Sequence, residues 1–224
     1  IAGQFKNIPA DALSGISGKN VAGIPVKSLT ADQIKALDAG QLSNFSAAQV
    51  ATFSKAQLLA IAPDDIVNLT ITNLPMTALD ATLVDNLSTA QVKALTTAQI
   101  AGLSAAQIGA FTEDQAPVLT PAQAVAFKSF GSFKYDSSNP IVQNLSPQFV
   151  AAIPSKAFGA LTEDQLVAIT PDQAKAITSA QISSLTLAKV GKLDDNGDVL
   201  AALTPAAITG FTTANVSGFD MSKL

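Results

Sequence analysis

Side chains able to do chemistry are scarce in this chain of 224 residues, which contains no His, Cys, Trp or Arg. The one stretch with the spacing of a metal site is Asp194-Asp195-Asn196-Gly197-Asp198. Asp194, Asn196 and Asp198 offer oxygen ligands at alternate positions, as the first half of a calcium loop does. The acidic residue that closes such a loop at the twelfth position is here Pro205, and Asn-Gly is equally an ordinary turn. A second candidate is the segment Phe127 to Pro140, which concentrates Phe130, Phe133 and the only tyrosine, Tyr135. Exposed aromatics anchor interfaces, so this segment is a candidate surface for a peptide or glycan; its other reading is a plug in the core. Sequons begin at Asn44, Asn68, Asn86, Asn144 and Asn215.

The remaining chemistry is excluded by composition. Serines and threonines are abundant, but no histidine or evident lysine partner could activate one as a nucleophile. The chain therefore reads as a non-enzyme with no cofactor. Zinc, copper and haem lose their commonest ligands with His and Cys. A net charge of −4 without arginine argues against nucleic-acid recognition. No apolar run is long enough to span a membrane, and no signal peptide is visible. A start at Ile1 in place of Met suggests a mature product or fragment.

The elements that must position these residues follow one rule. From Leu29 the chain reads Leu-Thr-Ala-Asp-Gln-Ile-Lys-Ala, Leu-Asp-Ala-Gly-Gln-Leu-Ser-Asn, Phe-Ser-Ala-Ala-Gln-Val-Ala-Thr, a repeat of eight residues. With Thr30 as Ncap, Gln33 is N3 and Ile34 is N4, while Leu29 precedes the cap as N′. Ser or Thr at Ncap with Gln at N3 is a capping box, and the apolar N′ and N4 residues form a hydrophobic staple. Eight residues hold only one to one and a half helical turns. Pro63, Pro121, Pro147, Pro171 and Pro205 fall at N1, and Pro9, Pro25 and Pro154 at the cap. Carboxylates such as Asp32, Glu163 and Asp172 fall in the first turn, at the positive end of the helix dipole. Gly or Asn often precedes the next N′ (Gly23, Asn44, Asn86, Gly102, Gly210), which points to helices ending in the left-handed conformation. A β-solenoid fails on period, because apolar residues five and then three apart lie on opposite faces of a strand.

The expected fold is therefore all-α: one continuous solenoid over residues 1–224, built of one-turn capped helices in about 27 repeats. Residues 1–7 are read as an irregular lead-in and 127–144 as an irregular aromatic segment. Ten-residue units occupy 69–78, absorbing Pro75 and Met76, and 193–202, carrying the Asp194 loop. The core is expected to be the N′ series (Leu37, Phe45, Phe53, Leu95, Leu103, Leu161, Ile169, Ile177) and the N4 series (Ile34, Leu42, Val50, Val92, Ile100, Ile108, Leu166, Ile182). Twelve glutamines share the N3 position. Gln99 and Gln107 are expected to turn back to their own caps, Thr96 and Ser104, so that truncation to Ala costs about 0.5 to 1 kcal/mol, one net hydrogen bond.

The tandem Leu-[Ser/Thr]-x-x-Gln-[Ile/Val]-x-x pattern, which covers most of the chain, resembles short repeats of bacterial secreted and surface proteins of adhesin type. The start Ile8-Pro-Ala-Asp-Ala-Leu-Ser-Gly-Ile16 is similar to repeat proteins of early-diverging fungi, a group taken to include a matrix protein of vacuolar crystals. The cysteines common in such repeats are absent here. The resemblance implies an architecture and no site residues. With few charges on faces of Ser, Thr and Ala, copies repel one another weakly. The expected role is a secreted or cell-surface structural protein whose partner is itself, in a filament, lattice or crystal, or a spacer; a vacuolar or storage compartment is the alternative location. The rival role is a recognition module using the aromatic segment.

Overall fold

In the repeat that opens at Leu29, the Thr30 hydroxyl accepts the Gln33 N–H at 3.2 Å and the Gln33 side chain accepts the Thr30 N–H at 2.8 Å. The same reciprocal pair starts the helices after Asp38, Ser46, Ser54, Ser88, Thr96, Thr120, Thr162, Thr170 and Thr178. The computed structural model describes residues 2–128, 130–133, 141–194 and 198–217. Within them the elements are short α-helices, many of four residues such as Ala39–Leu42, joined by 3-10 turns, with no strand. The expected all-α class of short capped helices is what the chain adopts. Prolines take their expected places at N1 and at the cap; Pro9, Pro25 and Pro154 stand at Ncap without a side-chain bond.

Helix termination differs from expectation. Gly23, Gly102 and Asn86 have φ of −72°, −84° and −86°, so none is left-handed. Instead the N–H of the next N′ residue closes onto the N4 carbonyl, as in Leu37 to Ile34 at 3.1 Å and Leu185 to Ile182 at 3.1 Å, and the chain then runs extended into the next cap. Eight residues leave no room for the extra residues of a left-handed cap. Asparagine serves instead through its amide: Asn44, Asn68 and Asn86 donate to the carbonyls of Gly40, Asp65 and Thr82. Some glycines are present for space. A Cβ on Gly210 would lie 2.1 Å from the Ser179 carbonyl oxygen, and one on Gly159 2.6 Å from that of Ser184.

The irregular segments obey the grammar more closely than their sequences suggest. Residues 2–7 form a 3-10 helix, Ala2–Asn7. The unit 69–78 resolves into two five-residue repeats, opening at Leu69 and Leu74 and each holding a three-residue 3-10 turn, Ile71–Asn73 and Met76–Ala78. They match the short turn Val26–Ser28 between Ile24 and Leu29. By contrast, Leu193 opens no repeat: it lies inside the helix Leu187–Asp194, the longest α-helix described.

The chain divides into two compact halves, Ile1–Ser104 and Ala105–Leu224. In each, a repeat packs on the third repeat along the chain. In the first half Ala10–Leu13 packs on Ala31–Lys35, which packs on Lys55–Ala60; in the second Pro147–Ala152 packs on Pro171–Ala174, and Ser155–Phe158 on Ser179–Ser183. Three repeats thus complete one turn of each superhelix, a number the periodicity leaves open. Every N′ and N4 residue expected in the core is buried. A single helical turn cannot bury its own apolar side, so stacking of successive turns supplies the stability.

Candidate functional sites: the glutamine ties and the aromatic cluster

The glutamine at N3 has two ends, and the sequence assigns only one. In Gln99 the Oε1 accepts from the Thr96 N–H at 3.0 Å, as the capping box requires. The Nε2 points the other way and donates to the carbonyls of Ile71 at 2.8 Å and Leu74 at 2.9 Å. Those carbonyls belong to the end of a 3-10 turn one superhelical turn earlier. The pattern recurs. Gln41 reaches Leu13 and Ile16, Gln57 reaches Val26 and Leu29, Gln91 reaches Ile66 and Leu69, and Gln181 reaches Val150 and Ile153. Gln33 ties the carbonyls of Phe5, in the Ala2–Asn7 helix, and of Ile8 just after it. Each of these amides caps the start of its own helix and the end of a turn one superhelical turn earlier, satisfying groups that short helices leave unpaired at both ends. Among the described residues no buried side-chain polar atom lacks a partner.

Only a side chain with an acceptor and a donor at this reach can do both. Two departures from Gln show the rule. Asn215 accepts from the Thr212 N–H at 2.7 Å and donates to the Ile182 carbonyl at 3.0 Å. It is 2 % exposed, so the sequon at Asn215 is closed in the folded chain. Lys189 stands at N3 after Thr186 and keeps the donor half alone, its ammonium bonded to the Gly159 carbonyl. The glutamine side chains are therefore inward-facing ties, and truncation costs more than the single capping bond. Gln107 is buried at the same repeat position.

Phe130 and Phe133, expected as candidates for a binding surface, are core residues at 1 % and 2 % exposure. They pack with Phe111, Phe127 and Phe149, ring centroids 5.2 to 6.2 Å apart. Phe149 occupies N3 of its repeat, so here an aromatic ring stands where other repeats put an amide. The plug reading fits these two rings, which are buried against the rings of Phe111, Phe127 and Phe149. Tyr135 lies outside the described residues, as do Asn196 of the calcium candidate and the side chain of Asp194; Asp198 is exposed. Among the described residues no group of three acidic side chains is placed to hold a metal.

The surface carries little charge organisation. Lys175 and Asp172 pair at 2.8 Å across an exposed helix face. The hydrogen bond from Lys175 and its positive charge lower the pKa of Asp172. Two adjoining open notches of about 340 and 300 Å³ share Lys27 and Thr52 and lie beside the three-residue turn Val26–Ser28. No helix among the described residues is long and apolar enough to cross a membrane.

The ALTTAQ repeat family matches residues 84–121. Within that span Ala94-Leu95-Thr96-Thr97-Ala98-Gln99 reads as the family name does, and the geometry above gives those letters roles: Leu95 as N′, Thr96 as cap and Gln99 as tie. The match supports a repeat protein. No curated protein matches the chain.

Proposed function

We propose that the chain is a non-enzymatic structural repeat protein of a secreted or cell-surface setting, which assembles with copies of itself into a filament, lattice or crystal or holds other parts apart as a spacer. The observation that supports this most is the fate of the glutamines. The glutamines at N3 are turned inward to bind turn to turn, leaving an outer face of Ser, Thr and Ala with scattered carboxylates and lysines. Such a face has low charge density, so lateral approach of copies meets little repulsion. The resemblance of the tandem pattern to adhesin-type surface repeats, and of residues 8–16 to fungal crystal-associated repeats, agrees with this role; a vacuolar or storage compartment is the alternative setting. The recognition reading loses support, since two of its three aromatics lie in the core. Light scattering and negative-stain electron microscopy across a concentration series test the assembly reading. Ordered assemblies that grow with concentration are expected; a uniform monomer at high concentration would overturn it and leave the spacer.

A further inference from the structure

The glutamine ties are distributed in bands. Gln33, Gln41, Gln49 and Gln57 occupy four consecutive repeats, and the next four, from Ile61 to Asn86, have none at N3. That stretch offers Asp65 and Leu83 at N3 and two five-residue repeats without the position. The ties described run backwards along the chain. Those of the first band join residues 33–57 to carbonyls between Phe5 and Leu29. Gln91 and Gln99 join the following layer to carbonyls between Ile66 and Leu74.

The stretch Leu29–Ala60 is thus tied to the repeats before it, and the stretch Ile61–Asn86 to those after it. Between these two stretches there is packing, Ala39–Leu42 against Pro63–Asn68 and Ala47–Val50 against Ile71–Asn73, but no glutamine tie among those described. The three elements at this junction, Pro63–Asn68, Ile71–Asn73 and Met76–Ala78, also lack side-chain caps. In the C-terminal half several repeats also lack Gln at N3, and at one of them Phe149 fills the space against Phe127 and Phe130. The N-terminal junction has no such cluster.

We infer that the N-terminal half is built to part at this seam: residues 2–60 and residues 61–104 open as separate cooperative bodies, each keeping its own glutamine ties. The physical basis is that local opening follows the weakest set of contacts, and in a stacked array stability resolves into layer terms and interface terms. A chain so divided yields in steps under load, one pair of layers at a time. The inference rests on the ties alone and stands whether or not the protein self-assembles.

Hydrogen exchange with mass spectrometry on the full chain tests it. Amides in 8–57 and in 66–101 are expected to exchange in two groups with distinct opening equilibria. Gln41→Met, which removes an amide at nearly constant length, should speed exchange in the first group on the order of tenfold and leave the second unchanged. The converse variant is Asp65→Gln. By the register of Gln57, whose partners lie 31 and 28 residues earlier, it brings an amide to the carbonyls of Ile34 and Leu37. Exchange in the first group should then slow on the order of tenfold. Uniform protection across the seam in the unmodified chain, or a Gln41→Met effect of equal size on both sides, would overturn the inference. So would an Asp65→Gln chain that exchanges like the parent.

Discussion

Replacing Gln99 separates the two jobs of the tie. In the intact chain its Oε1 satisfies the Thr96 N–H and hydroxyl, and its Nε2 satisfies the Ile71 and Leu74 carbonyls. The Ile71 carbonyl also receives the Leu74 N–H at 2.9 Å, so it keeps one partner when the amide is lost. The Thr96 N–H and the Leu74 carbonyl are the groups most exposed to the loss. At about 1 to 3 kcal/mol for each of these two buried groups left unsatisfied, Gln99→Ala should cost about 2 to 6 kcal/mol, well above the single-bond figure that capping alone suggests. Gln99→Glu keeps the acceptor and turns a carboxylate toward two carbonyls. Its pKa in the folded state is then raised above the unfolded value of about 4.3. The stability of this variant is accordingly highest below that unfolded value, where the protonated acid donates as the amide does, and falls as pH rises through the folded pKa. Urea unfolding followed by far-UV circular dichroism at pH 7 and pH 4, with the m-value checked for constancy, reads both effects. A Gln99→Ala loss under about 0.5 kcal/mol, or a Gln99→Glu penalty that does not shrink on acidification relative to the parent, would refute the account of the tie.

Three further outcomes follow from the packing. Ile100→Asp puts an unpaired charge in a core position that is 1 % exposed, at a cost of several kcal/mol, and a melting curve like that of the parent would contradict the N4 core. Gly210→Ala should lose about 1 to 3 kcal/mol through overpacking against the Ser179 carbonyl, whereas Gly191→Ala, with nothing within 4 Å of the new methyl in a helix, should gain about 0.5 to 1 kcal/mol; thermal denaturation of the two side by side shows whether the signs differ. Lys189→Gln restores the acceptor half of a tie that now only donates, and should raise the urea midpoint by an amount worth about 0.5 to 1.5 kcal/mol, with an unchanged or lower midpoint counting against the reciprocal role of the amide.

What could be read from this sequence is what acts within a few residues. Thr30, Gln33, Leu29 and Ile34 lie within six positions of one another, and so cap, N3 return bond and hydrophobic staple are all written in one octad; the N′ and N4 cores came out buried as their periodicity required. Proline at N1 and at the cap is legible for the same reason, since it concerns one residue's own φ and missing N–H. The destination of each amide nitrogen was not legible. Its partners lie 22 to 35 residues away in the chain, at a spacing set by how many repeats close a superhelical turn and by where five-residue repeats shorten the path. Nor was the duty of Gly210 and Gly159, because the atoms they make room for, in Ser179 and Ser184, are brought there only by stacking. Phe130 and Phe133 carry the same lesson: their composition fits a binding surface and a core plug equally well. Only the packing of Phe111, Phe127 and Phe149 around them chose the core, since burial belongs to the assembled layers and not to any local stretch of chain.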